Sequence, residues 1–160
     1  MNKAYLLTGG NMGDRAENLS NAVLLIKQFC GEITVASRIY ETAAWGNTQQ
    51  PNFLNQVLEL KTELTALQLI RRILKIEKQM GRVRNEKFGP RIIDIDILFF
   101  NDEIIGLPFL KIPHTEIQHR RFVLIPLCEI APELIHPQLN STISELLKSC
   151  TDKLDVKKFN

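Results

Sequence analysis

Cysteine is scarce in this chain, and Cys30, Cys128 and Cys150 stand far apart with no C-x-x-C pair among them. That spacing excludes a disulfide framework and a zinc knuckle, and reduced thiols in a cytoplasmic protein are the expectation. His114, His119 and His136 form no H-E-x-x-H pattern, so a zinc site of that kind is excluded as well. Long apolar runs are missing too. None approaches the ~20 residues of a membrane-spanning helix, and the first residues carry no secretory apolar core, so no membrane partner is expected. Nor is there a large excess of one charge: a net +2 does not by itself call for nucleic acid. Repeats, low-complexity tracts and linkers are absent, so residues 1–160 are expected to form a single domain.

What is present is a regular alternation of elements. Ala4-Tyr5-Leu6-Leu7-Thr8 reads as a buried strand ending at Gly9-Gly10, a tight turn lining the site but without the phosphate-loop or dinucleotide pattern. Asp14 and Glu17 have capping spacing, and Leu19, Ala22, Val23, Ile26 and Cys30 recur at helical intervals until Gly31 stops the helix. Strands follow over residues 33–40 and 53–61, separated by a polar loop that holds Gly46, Asn47, Thr48, Gln49, Gln50 and Pro51. Thr65 and Gln68 open a second helix with Leu69, Ile70, Ile73, Ile76 and Met80 as its apolar stripe. Residues 94–99 make the last core strand, and Asn101-Asp102 is expected to turn a hairpin into Glu103-Ile104-Ile105. Helices are predicted near 122–129 and 142–150. The order βαββαβ predicts an α+β, ferredoxin-like core: an antiparallel sheet with helices on one face, plus additional C-terminal helices.

One strand breaks its own pattern. Residues 92–100 are β-branched or bulky and apolar except for Asp94 and Asp96. The two-residue repeat of a strand puts both carboxylates on one face, about 6.6 Å apart, with Ile95 and Ile97 on the other. Two such carboxylates repel each other and lose hydration, so positive charge must sit beside them. A divalent metal meets that need, and two Mg²⁺ ions would suit a phosphate-transfer site. The alternative is a pair solvated at a strand end. The surroundings favour the metal: between residues 71 and 91 eight Lys or Arg face only two Glu. Arg82, Arg84, Lys87 and Arg91 lie in the loop that feeds the acidic strand, placed to fold over a polyphosphate.

The run Gly81-Arg82-Val83-Arg84, the block Lys87-Phe88-Gly89-Pro90-Arg91-Ile92-Ile93-Asp94-Ile95-Asp96-Ile97, and Pro113-His114 with Arg120-Arg121-Phe122-Val123-Leu124-Ile125-Pro126-Leu127 closely resemble the 6-hydroxymethyl-7,8-dihydropterin pyrophosphokinases of folate biosynthesis. The resemblance spans nearly the whole chain. It implies transfer of the β,γ-diphosphoryl unit of ATP to the pterin hydroxymethyl oxygen, releasing AMP, in a monomer with two Mg²⁺. It implies catalytic roles for Arg82, Arg91, Asp94 and Asp96, with the two aspartates as metal ligands. Glu77, Arg84, Lys87, Ile97, His114, Thr115 and Arg120 would contact ATP. Thr42, Ala43, Ala44, Trp45, Phe53, Asn55 and Phe122 would surround the pterin. The pattern is not complete: Phe53 and Thr115 stand where the family has Tyr, Leu74 where it has Gln, Lys87 where it has Arg and Phe88 where it has Trp. Lys87 gives up bidentate phosphate gripping. Read alone, Phe53 and Phe122 are better taken as core aromatics, since buried Phe is commonplace.

Two rivals frame the reading. Ferredoxin-like sheets with basic patches also serve RNA recognition, but the aromatic sheet motif of those modules is absent and an acidic strand repels a phosphate backbone, so no nucleic-acid partner is expected. A nucleotidyltransferase would use similar metals but cleave at the α-phosphate and release pyrophosphate.

Overall fold

Strand β1 (Asn2–Gly10) is buried from Ala4 to its end and forms the middle of the sheet in this computed structural model, which describes residues 1–44, 49–82 and 90–160. Antiparallel partners flank it, β4 (Phe53–Thr62) on one side and β5 (Asp94–Phe100) on the other. The two registers meet at Gly9, which lies opposite Asn55 of β4 and opposite Asp94 of β5. Strands β2 (Glu32–Ala36) and β3 (Tyr40–Thr42) both pair with β4, and β8 (Val156–Lys158) extends the sheet beyond β3. The path β5-β1-β4-β3-β8, with β2 also on β4, contains the expected ferredoxin-like core.

Helices cover both faces, which explains why β1 and β5 are apolar almost throughout. On one face lie α1 (Arg15–Phe29), its first turn capped by the Asp14 carboxylate, and α2 (Ala66–Gln79), opened by a reciprocal capping box between Thr65 and Gln68. Their Leu19, Ala22, Ile26, Leu69, Ile73 and Ile76 pack on Leu6, Leu58, Ile95 and Ile97. On the other face, α3 (Arg121–Ile130) and α4 (Ile143–Ser149) bring Val123, Leu124, Leu127 and Ile143 against Leu7, Val57, Leu98 and Phe99. The Thr142–Glu145 capping box opens α4 as its spacing predicts.

Two sequence expectations give way. Residues 33–40 are not one strand: β2 and β3 are separate because Ser37 intervenes. Its hydroxyl accepts the Val57 N–H at 3.0 Å and donates to the Arg38 carbonyl at 2.7 Å, so a side chain takes over a ladder bond. The hairpin after β5 is also displaced. Asn101 turns the chain at φ 49°, but it stays on Lys3, donating its N–H to the Lys3 carbonyl at 2.7 Å and accepting the Lys3 N–H on Oδ1 at 2.9 Å. The outer edge of β5 is met instead by His114, whose N–H donates to the Leu98 carbonyl at 3.0 Å. Residues 103–105 therefore do not return along β5, and β6 (Ile105–Leu107) pairs with β7 (Leu110–Ile112) as a hairpin of its own.

Leu58, 0% exposed at the centre of β4, measures how much the site depends on this core. Leu58→Ala should cost about 2–5 kcal/mol in urea unfolding, whereas Leu24→Ala, at a side chain 63% exposed, should stay within about 0.5 kcal/mol.

Candidate active site

The carboxyl face of β5 opens onto a cleft of about 200 Å³. Its floor is made by Gly9, Phe53, Asn55, Asp94 and Asp96 of three adjacent strands, and its walls by Thr42 and Ala43 at the end of β3 and by Arg120 and Phe122 at the start of α3. Arg91 and His114 complete the lining. Asp94 and Asp96 share this face because Ile95 and Ile97 occupy the alternate positions and pack under α1 and α2.

The two aspartates are neutralised differently. Asp94 accepts from Arg82 Nη1 on Oδ1 and from Arg91 Nη1 on Oδ2, both at 2.7 Å. Arg82, its side chain only 9% exposed, also reaches Glu77 Oε2 at 2.8 Å. Gly81 makes that possible: with φ at 90° it reverses the chain past α2, so the Arg82 N–H falls on the Glu77 carbonyl at 3.0 Å and the side chain turns back to the helix. Glu77 is 3% exposed, and its Oε2 additionally accepts the Ile95 N–H at 2.7 Å, which fixes α2 to the acidic strand. No comparable ion pair reaches Asp96 among the described residues. Burial pushes the Asp96 carboxyl up to about 8; the charges of Asp94 and Glu77 add to the rise, and the guanidinium groups of Arg82 and Arg120 oppose it.

Arg91 is held by its backbone: its N–H donates to Asn11 Oδ1 at 2.9 Å and its carbonyl accepts the Asn11 N–H at 3.0 Å. Gly10 permits the approach, since a Cβ there would lie 2.3 Å from the Ile92 carbonyl oxygen. His114 has its Nδ1 accepting the Glu116 N–H at 3.2 Å, which leaves Nε2 as the protonated nitrogen of the neutral ring. Burial, and then the nearby Arg120 charge, lower its pKa, so the ring is neutral at physiological pH. Arg120 lies over the Phe122 ring, 5.8 Å from its centroid. Asn55 brings a buried Nδ2 that has no acceptor among the described residues, while its Oδ1 side lies over Gly9, where a Cβ would come within 2.2 Å. A buried amide donor of this kind suits a polar heterocycle lying on the cleft floor.

Most residues named from sequence come together here: Arg82, Arg91, Asp94, Asp96, Glu77, His114, Arg120, Thr42, Ala43, Phe53, Asn55 and Phe122. Glu77 and Arg82 join the site through Asp94 without lining the cleft, and three others stand apart from it. The Ile97 side chain is buried in the core on the opposite face of β5, Ala44 is buried behind Thr42 and Ala43 in sequence, and Thr115 is exposed. Trp45, Arg84, Lys87 and Phe88 lie outside the described residues. Leu7, Leu98 and Val123 also line the cleft, although nothing in the immediate sequence of Leu7 and Val123 sets them apart from core residues. Leu98 was open to inference, since it follows Asp94 and Asp96 at the same two-residue interval.

The donor set fits a hard divalent cation. Two carboxylates share one face, no larger cluster of His, Cys, Asp and Glu is found among the described residues, and the remaining positions would fall to water and phosphate oxygens, as Mg²⁺ prefers.

A family model for 7,8-dihydro-6-hydroxymethylpterin-pyrophosphokinase matches residues 5–132 of the chain. The chain belongs to this family. Among curated pyrophosphokinase-family relatives, the 2-amino-4-hydroxy-6-hydroxymethyldihydropteridine pyrophosphokinase of Aquifex aeolicus is 43% identical over 145 residues, covering 91% of this chain and 90% of its own. The protein of that name from Haemophilus influenzae is 36% identical over 155 residues, 96% of each. Among solved structures, Plasmodium falciparum HPPK-DHPS with SDX-DHP superposes with a TM-score of 0.75 at 22% identity, a likeness of fold. It covers 92% of this chain, which spans 43% of the length of that longer one.

The contrast between the aspartates sets opposite expectations for stability without metal. A carboxyl raised in the folded state contributes stability that is complete below about pH 4 and lost as pH rises through about 8. Asp96→Asn removes that loss, so its melting temperature should exceed that of the parent by a margin that grows from pH 5 to pH 8. Asp94→Asn removes partners of Arg82 and Arg91 and should lower stability at pH 8 by about 1–3 kcal/mol. Scanning calorimetry of both variants in a chelator, across that pH range, checks both signs.

Proposed function

We propose that this chain transfers the β,γ-diphosphoryl group of ATP to the hydroxymethyl oxygen of 6-hydroxymethyl-7,8-dihydropterin, giving AMP and the pterin diphosphate in folate biosynthesis. The observation that carries this reading is the meeting of two substrates' requirements in one cleft. Asp94 and Asp96 lie beside Arg91 and Arg120, and Phe53, Asn55 and Phe122 lie within the same lining.

In the transfer the pterin hydroxyl oxygen forms a bond to the β-phosphorus, the bond from that phosphorus to the α-bridging oxygen breaks, AMP leaves, and the hydroxyl proton passes to solvent water. Asp94 and Asp96 would hold Mg²⁺, two ions in this reading. When bound, the metal neutralises phosphate charge and makes the attacking hydroxyl more acidic. Arg82 and Arg91 now occupy both oxygens of Asp94, which keeps their guanidinium groups at the acidic strand where the phosphates must come. Bound polyphosphate offers them stronger, multiply charged acceptors. Arg120 adds a further cation at the cleft wall, and His114, neutral and with Nε2 carrying its proton, donates a hydrogen bond to a phosphate oxygen without adding charge. Glu77 keeps Arg82 in register with β5 through its bond to the Ile95 N–H. Asn55 gives its free amide hydrogens to the pterin edge, and Phe53 and Phe122 give the ring apolar faces. Arg84, Lys87 and Trp45 carry roles assigned by family likeness alone. Residues 1–160 act in this reading as one catalytic domain, monomeric and cytoplasmic.

The test is an assay with ATP, Mg²⁺ and 6-hydroxymethyl-7,8-dihydropterin in which AMP and pterin diphosphate are quantified together. Equal yields of the two are expected, and pyrophosphate in place of AMP would mean attack at the α-phosphate. Asp94→Asn and Asp96→Asn should each lower turnover by at least about 100-fold while the far-ultraviolet circular dichroism is kept. Full turnover in either variant would remove the metal-holding role.

A further inference from the structure

Residues 152–159 grip both walls of the cleft without lining it. Strand β8 runs antiparallel to β3 with Val156 opposite Thr42, and the Phe159 N–H donates to the Ile39 carbonyl at 2.9 Å. Arg15 lies over the Phe159 ring, 5.7 Å from its centroid, and reaches Glu41 Oε2 at 2.7 Å and the Asn52 carbonyl at 3.0 Å. The wall that carries Thr42 is thereby fastened from its outer side.

The opposite wall begins at α3, whose N-cap residue, Arg120, gives the helix no side-chain acceptor. Asp152 supplies one from 31 positions away in sequence: its Oδ2 accepts the Arg121 N–H at 2.9 Å. Oδ1 accepts the Leu154 N–H at 3.0 Å, and the Arg121 guanidinium donates to the Leu154 carbonyl at 3.0 Å. A carboxylate here satisfies a backbone donor that would otherwise be an orphan, and it sits at the positive end of the helix dipole. The far end of α3 is tied separately, through Glu129 to the Tyr40 hydroxyl and the Arg38 N–H. The end that segment 152–159 holds is therefore the one bearing Arg120 and Phe122. This segment also lies beyond residues 5–132, the part matched by the family model.

We propose that segment 152–159 is a brace setting the separation of the two walls at the pterin end of the cleft, with Asp152 as its positioning residue. The proposal rests on the pterin-transfer reading above. It differs from a general stabilising role because the brace acts on the Thr42 and Phe122 walls and not on the Asp94–Arg82–Glu77 network.

The test compares Asp152→Ala with Asp152→Asn in the full chain. Asp152→Ala should raise KM for the pterin by about five- to tenfold, with a clearly smaller rise in KM for ATP, whose phosphates meet Arg120 on the same helix start but are held mainly from β5, and with kcat within about twofold. Asp152→Asn keeps an acceptor oxygen and should recover most of the loss. Pterin affinity, read by its fluorescence beside a non-hydrolysable ATP analogue, should fall by the same factor, and the amides of residues 121–123 should exchange faster in Asp152→Ala. Parallel increases in both KM values, or an unchanged pterin KM, would overturn the brace. If the parent protein forms no AMP, the transfer reading itself falls, and unchanged exchange at residues 121–123 in Asp152→Ala would overturn the brace independently.

Discussion

Two carboxylates on one face of a covered strand cannot both be ionised without compensating positive charge, and the rest of the site is arranged around that constraint. The fold meets it asymmetrically. Asp94 has an arginine on each oxygen, one of them shared with the buried Glu77. Asp96 has no ion pair among the described residues, and burial raises its pKa to about 8. The first arrangement stabilises the ligand-free protein; the second leaves a carboxyl whose ionisation must be compensated by something that binds. A site of this kind trades folding stability for affinity toward a cation, as functional sites commonly do.

The sheet registers explain why the two halves of the chemistry meet. Gly9 stands between Asn55 and Asp94 in the central strand, so the amide proposed to meet the heterocycle and the carboxylate proposed to hold the metal are its two neighbours. The absence of a side chain lets Asn55 lie across the strand toward that junction. Glycine here is a requirement of close approach and not of turn geometry. Farther out, Gly81 and the Asn11–Arg91 pairing return the flanks of the basic loop to the same edge.

Much of this was legible in the sequence, because the signals were periodic or local. The two-residue repeat put Asp94 and Asp96 on one face, the capping pairs Asp14–Glu17, Thr65–Gln68 and Thr142–Glu145 opened helices where expected, and Gly81 closed α2. What failed was set by long-range competition. Ser37 replaces a backbone ladder bond with its side chain, and Asn101 stays with Lys3, almost a hundred residues away, so neither break can be read from neighbours in sequence. Leu7 and Val123 look like any core residue until the fold shows that they border a cleft, and no local pattern reveals that Asp152 caps a helix begun thirty-one residues earlier.

The central claim is that Asp96 has no ion-pair partner among the described residues and gains a counter-cation with the nucleotide. Carbon-13 NMR of the aspartate carboxyls, with Asp96 assigned by substitution, follows that directly. In the metal-free protein the Asp96 signal should titrate near pH 8, and with Mg²⁺ and a non-hydrolysable ATP analogue it should stay in the carboxylate position throughout pH 5 to 9. A signal that titrates near pH 4 in the metal-free protein, unchanged by Mg²⁺ and the analogue, would contradict the account.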